Sequence, residues 1–103
     1  MSSTTLEANQ LVIAGEVVQI AELRYTPAGI PLLSFTLQHI SEKTEAGMQR
    51  RVECAVPVMA MGSIAEQHKH LKEGTRARAA GFLAKRSMKS TQLVLHITTL
   101  EII

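Results

Sequence analysis

The sequence predicts an all-β protein: five strands closing into a small barrel, with one short helix between the third and fourth. Three observations carry this. Leu33, Phe35, Leu37 and His39 alternate with Ser34, Thr36 and Gln38, the period-two pattern of a strand buried on one face. Gly15 and Gly81 interrupt apolar runs, where closing a small barrel requires strands to bend. Helical spacing is confined to one short stretch, Ile64, Ala65, Gln67, His68 and Leu71.

The elements follow in order. Leu11 to Leu23, rich in Val, Ile and Leu, predicts a long first strand bent or bulged at Gly15. Tyr25-Thr26-Pro27-Ala28-Gly29-Ile30-Pro31 places proline and glycine at turn spacing and predicts a tight connection. The alternating run around Phe35 is the second strand. Ser41 to Gln49 is polar and holds Gly47, so it reads as a loop. Val52, Cys54 and Val56 alternate with Arg51, Glu53 and Ala55 in a third strand that Pro57 ends or places at an edge. On that alternation Cys54 is a core thiol. The helix runs from Ser63 to Lys72, with Ser63 as N-cap and Glu66 as its capping-box partner. Thr75 to Ala84 alternates again, with Arg76 and Arg78 on one face and Ala77 and Ala79 on the other. Arg86 to Thr91 is a basic loop, and Gln92 to Ile103 is the last strand. Strand, strand, strand, helix, strand, strand is the order of the OB-fold, a five-stranded Greek-key barrel.

Length and composition bound the rest. A chain of 103 residues is one domain, 1–103, with residues 1–8 as a flexible N-terminus. At 46% apolar and 19% charged it is too rich in core material for a disordered chain. Cys54 is the one cysteine, which excludes zinc ribbons and disulfide scaffolds. The acids are all Glu, which removes aspartyl dyads and Asp-based triads. No phosphate loop, nucleophile elbow or H-E-x-x-H motif is present. His68 and His70, two apart on a helix, point about 200° apart. The sequence therefore predicts no enzyme, no metal and no cofactor. An unpaired thiol, and no basic leader or apolar stretch at the start, predict a cytoplasmic protein without a membrane span.

Charge is uneven. Residues 1–74 carry six Lys/Arg against eight Glu, a balance of −2, whereas residues 75–103 carry five against one, a balance of +4. Arg76, Arg78, Lys85, Arg86 and Lys89 thus predict a side that faces a polyanion, with a merely solvated basic face as the alternative. In an OB barrel, Arg24 and Tyr25 border the first loop and Arg50 and Arg51 open the third strand. Lys85, Arg86 and Lys89 border the last loop, so these residues converge on one groove. Together they are the candidate DNA-binding set. Phosphate neutralisation there gives sequence-tolerant, salt-sensitive binding. Stacking is the scarce commodity, because Tyr25 is the one aromatic placed for it.

The residues also carry a resemblance. Leu11-Val12-Ile13-Ala14-Gly15 and Leu23 through Pro31 resemble the opening of the single-stranded DNA-binding proteins, as Ala65 through Gly74 and Gly81-Phe82-Leu83 resemble their helix and fourth strand. Gly29-Ile30-Pro31, His39, Glu45-Ala46-Gly47, Arg50, Val56-Pro57-Val58 and Leu93-Val94-Leu95-His96 fall in the order of the primosomal replication protein N family. The likeness spans nearly the whole chain. The sequence ends at Ile103, where a single-stranded DNA-binding protein is expected to continue into a flexible tail, and this favours the second family.

What the resemblance implies is an OB-fold homodimer that binds single-stranded DNA and assists a replication-restart helicase and other primosome proteins. By position it implies a groove containing Arg24, Arg50, Lys85, Arg86 and Lys89, with Tyr25 beside it. Met48 and Glu53 stand where better-known members carry aromatics, which predicts weaker binding or a shifted site. Apolar residues on both faces of Leu11-Val12-Ile13, Val17-Val18 and Leu93-Val94-Leu95 independently favour the dimer. Two readings compete with this one: a tailless single-strand binder of recombination or repair, and a protein–protein adaptor with residual DNA affinity.

Overall fold

Seven elements follow one another in the computed structural model, which describes residues 5–103: β1 (Leu11–Val18), β2 (Arg24–Tyr25), β3 (Pro31–Glu45), β4 (Met48–Met61), α1 (Ser63–Gln67), β5 (Arg76–Lys85) and β6 (Leu93–Ile102). The expected flexible segment, residues 1–8, falls partly on residues 1–4, which lie outside the described residues. Five strands form the barrel in the order β1–β5–β6–β4–β3, and β1 returns to β3 to close it. The ladders are antiparallel, β4–β6 excepted. This is the predicted all-β barrel with its one short helix.

The core follows from the alternation. Leu33, Phe35 and Leu37 of β3 point inward against Val58 and Ala60 of β4, Val17 of β1, Ala77 and Ala79 of β5, and Leu95 and Ile97 of β6. Each large side chain buried there contributes about 1.5–3 kcal/mol relative to exposure. Ala65 of α1 is buried against the same cluster, so the helix plugs one end of the barrel. Closure depends on two close approaches. A Cβ at Gly15 would lie 2.6 Å from the Gln38 carbonyl oxygen, and one at Gly81 would lie 1.9 Å from that of His96. At Gly81 the β5–β6 register also shifts, so that glycine does bend its strand.

Several local expectations are corrected. The first strand stops at Val18 rather than Leu23, because Gln19 adopts a φ of 52° and turns the chain out of the ladder. The polar stretch from Ser41 to Gln49 is not a loop. β3 and β4 stay paired from Leu32↔Met61 out to Glu45↔Met48, joined by Ala46 and Gly47, both at positive φ. Its polarity reflects two wet faces, not irregular backbone. Pro57 does not end the third barrel strand, because β4 meets β6 only at Val58 and Met59. Before that point its free side has no partner strand to donate to.

Cys54 is exposed rather than buried. It shares its face with Val56, as the alternation says, but the barrel beneath ends before it. The helix spans Ser63–Gln67 instead of Ser63–Lys72, and its N-cap is Gly62 with no side-chain cap bond. Glu66 faces outward to Tyr25 and Lys69. The last strand runs from Leu93 to Ile102.

Candidate nucleic-acid interface

Residues paired across an antiparallel ladder share a face, so the β3–β4 register sorts the two strands into two rows. One row, Leu33, Phe35 and Leu37 with Val56, Val58 and Ala60, makes the core. The other, Ser34 and Thr36 with Ala55, Pro57 and Met59, faces outward. This outward row floors a groove of about 420 Å³. Gln19 and Ala21, from the connection after β1, form one wall. Arg86 and Gln92, at the two ends of the β5–β6 loop, form the other.

The loop that supplies Arg86 is held by backbone and side chain together. The Arg86 amide donates to the Gln92 carbonyl at 2.8 Å, and Arg86 Nη1 donates to Gln92 Oε1 at 3.3 Å. Lys85 Nζ donates to the Met88 carbonyl at 3.1 Å. Among the described residues, Lys85, Arg86 and Lys89 form no ion pair.

Not every candidate joins this groove. Arg24 pairs with Leu32, on the outward row, which puts it on the groove's side of β3. Tyr25 pairs with Pro31, on the inward row, and turns towards α1, where its hydroxyl donates to Glu66 Oε2 at 3.0 Å. That hydrogen bond, and the negative charge behind it, hold the phenol's pKa above its ordinary value of 10.0. Arg50 and Arg51 are neighbours in sequence and so point to opposite faces of the hairpin arm. Arg50 is ion-paired with Glu45 on one face; on the other, Arg51 Nε donates to Glu53 Oε2 at 2.6 Å. Only Arg51 extends the outward row.

Arg76 and Arg78 lie on the outer face of β5, alternating with buried Ala77 and Ala79. β6 and β1 separate β5 from β4 and β3, so these arginines are on a different wall of the barrel. Each has an acid opposite: Glu16 pairs with Arg76 in the ladder, and Glu101 bonds Arg78 at 2.8 Å. Among the described residues no group of three or more His, Cys or Glu is placed to hold a metal.

Among the described residues no exposed aromatic ring lines the groove, since Phe35, which borders it, is 3% exposed. Phe35 is in the core, and Phe82 stacks on His96 with ring centroids 5.4 Å apart. The groove's neutral members, Gln19, Ser34, Thr36, Pro57, Met59 and Gln92, were missed in sequence. The outward phase of the Phe35 alternation names Ser34 and Thr36, but nothing local identifies the walls.

Residues 9–99 match the model of a family described as another single-strand binding protein family. A replication restart protein PriB of Nitrosomonas europaea is 38% identical over 97% of this chain and 93% of its own. The solved structure of the protein PriB from Ralstonia solanacearum superposes with a TM-score of 0.81 at 34% identity, over 92% of this chain and 97% of that one. The wild-type single-stranded DNA binding protein from Thermus aquaticus shares the fold at a TM-score of 0.76 and 23% identity, over 93% of this chain and 50% of that one.

Proposed function

This chain belongs to the single-strand binding protein family and to the PriB replication restart proteins, and we propose that it is a non-enzymatic accessory protein of replication restart that binds single-stranded DNA in the β3–β4 groove. The observation that carries the reading is the β5–β6 loop. It sets Arg86 on the wall of a groove with no acidic lining residue, with Lys85 and Lys89 close to it in the chain and all three free of ion pairs among the described residues. A strand laid over Ser34, Thr36 and Pro57 meets these cations with its phosphates. Arg24 extends the basic track along the same side of β3, and Arg51 extends it along the arm. With no aromatic platform in the groove, affinity rests on counterion release and is steeply salt-dependent.

The protein acts in the cytoplasm, as a homodimer, and stimulates a restart helicase. The open edge of β1 supports the dimer. From Leu11 to Gly15 that strand has β5 on one side, and it meets β3 only from Glu16 to Val18. Val12, on this edge, is 62% exposed. A second copy's β1 is the partner such an edge fits, since an uncovered edge strand is a liability. No helix of the described residues is long and apolar enough to cross a membrane.

Fluorescence anisotropy of labelled oligo-dT at several salt concentrations, with duplex as competitor, tests the reading. We expect single strand to be preferred and affinity to fall steeply with salt; equal binding of duplex and single strand removes the groove. A second reading, a protein–protein adaptor, is favoured by the groove's want of aromatics. Helicase capture that is unchanged by adding or removing DNA would support the adaptor instead.

A further inference from the structure

The groove has no exposed ring of its own, but its outward row of side chains continues past its wall. Ser34 of β3 pairs with Met59 of β4, Met59 with His96 of β6, and His96 with Phe82 of β5. Residues paired in neighbouring strands share a face, so these four side chains form one line across the outside of the barrel. The same face is reached along the strands. Phe82 and Ala84 alternate outward on β5 in phase with Arg86 just beyond it, as Val94 and His96 do on β6 with Gln92 just before it. Arg86 and Phe82 thus stand about 13 Å apart on one surface. Ala84 and Val94, paired between them, leave that surface low. At its end Phe82 is 43% exposed. Its ring lies within 5° of parallel to His96 at a centroid separation of 5.4 Å, so one face is covered. The other looks towards β1, because β5 lies between β6 and β1. On that side a cavity of about 260 Å³ is lined by Phe82, Val12, Ala80 and Thr98, with no acidic residue in its lining.

Resting on the groove reading above, we infer that single-stranded DNA leaving the β3–β4 groove passes Arg86, crosses β6 and stacks one base on Phe82. A ring fixed by one stack, with its second face towards a cavity, is a platform for a flat, uncharged group. Every base has such a face, so the contact adds affinity without adding sequence preference. Continuity decides the occupant. The line from Ser34 to Phe82 is unbroken and runs beside the cation of the groove wall, and no carboxylate lines groove or cavity to repel a phosphate. The platform that the groove lacks is supplied two strands away from β4.

Phe82→Leu keeps an apolar side chain at the site and removes the ring. Anisotropy at low salt with oligo-dT of about 4 and about 16 nucleotides, the ends of the range one OB fold covers, separates the groove from its extension. The variant is expected to bind the long oligomer at least about fivefold more weakly, the low end for one base–aromatic stack, and the short one as the parent does. The salt slope should stay as in the parent protein, because no charge is removed. NMR supplies a readout that lost packing would not mimic. The chain has two phenylalanines, and Phe35 is in the core. In the parent protein the long oligomer should move the Phe82 ring signals upfield and leave those of Phe35 in place. Equal weakening of both lengths by Phe82→Leu overturns the inference, because Phe82 then acts through the barrel and not on the strand. An unmoved ring, with salt-sensitive binding intact, overturns it as well, leaving the groove standing and the cavity to a protein side chain. Failure of the parent protein to bind the long oligomer overturns the groove reading and this inference with it.

Discussion

The two basic clusters of residues 75–103 are seven residues apart in sequence, from Arg78 to Lys85, and unlike in structure. Arg76 and Arg78 lie on the outer face of β5 with Glu16 and Glu101 opposite them. Lys85 ends β5 and Arg86 and Lys89 lie in the loop after it, with no ion-pair partner among the described residues, and Arg86 lines the groove. A charge count pools all five as one basic segment. The fold separates them: Arg78 is bonded to Glu101 and Arg76 has Glu16 as its ladder neighbour, whereas the other group has no acid within ion-pair distance among the described residues. What a cation can do is set by the acid beside it.

The largest effect should come from the loop. Replacing Lys85, Arg86 and Lys89 together with Ala should lower the log–log salt slope of single-strand binding by about 2, at roughly 0.7 per lost phosphate contact. An unchanged slope would remove this loop from the interface. The arm supplies an intermediate case, because Arg51 lies on the groove's side but is held by Glu53. Glu53→Gln should free that guanidinium and steepen the slope by about 0.7, one contact's worth. Arg76→Ala with Arg78→Ala should leave the slope unchanged and cost no more than about 1 kcal/mol of stability, as exposed ion pairs do. If net charge alone governed binding, this double variant would show two-thirds of the loop's effect, so the two outcomes are well separated.

Much of the barrel was legible, and the reason lies in the core. Leu33, Phe35 and Leu37 alternate because there is a packed interior under one face of β3, and the period declares both the strand and its orientation. The same two strands continue into the arm, where nothing lies beneath. From Ser41 to Gln49 the pattern loses its apolar phase and reads as a loop, though the ladder continues unbroken to Glu45↔Met48. Cys54 fails for the same reason from the other direction. Its phase is inward, but inward is open solvent there.

The groove was legible only in its charges. Its floor could be had from the outward phase of β3. Its walls depend on where Gln19 leaves the ladder and on the cross-loop bond between Arg86 and Gln92, and neither leaves a local pattern. Tyr25 shows the limit of placing a residue by its loop alone. Its run to Pro31 reads as a tight connection beside the groove, whereas Arg24–Tyr25 is a short strand whose pairing with Pro31 turns the ring to the helix.

That ring extends the comparison from cations to a phenol, with the smallest expected effect. Glu66 accepts the Tyr25 hydroxyl's hydrogen bond and opposes its ionisation, so the folded pKa lies above the unfolded one. The bond's stabilisation is then fully present below the unfolded pKa, near 10, and is lost as pH rises through the higher folded value. In the window between them the unfolded chain has released a proton that the folded chain keeps, so stability declines with pH. Tyr25 is the one tyrosine of the chain, so the phenolate absorbance reports this site without deconvolution. The spectrophotometric midpoint should lie above 10.0 in the folded protein and return towards it in Glu66→Gln. Single-strand affinity should be unaffected by Tyr25→Phe, which keeps the ring and removes the bond. A marked loss of binding in that variant would mean that the hydroxyl leaves Glu66 for the strand, and Tyr25 would then belong with the loop cations rather than with Arg78.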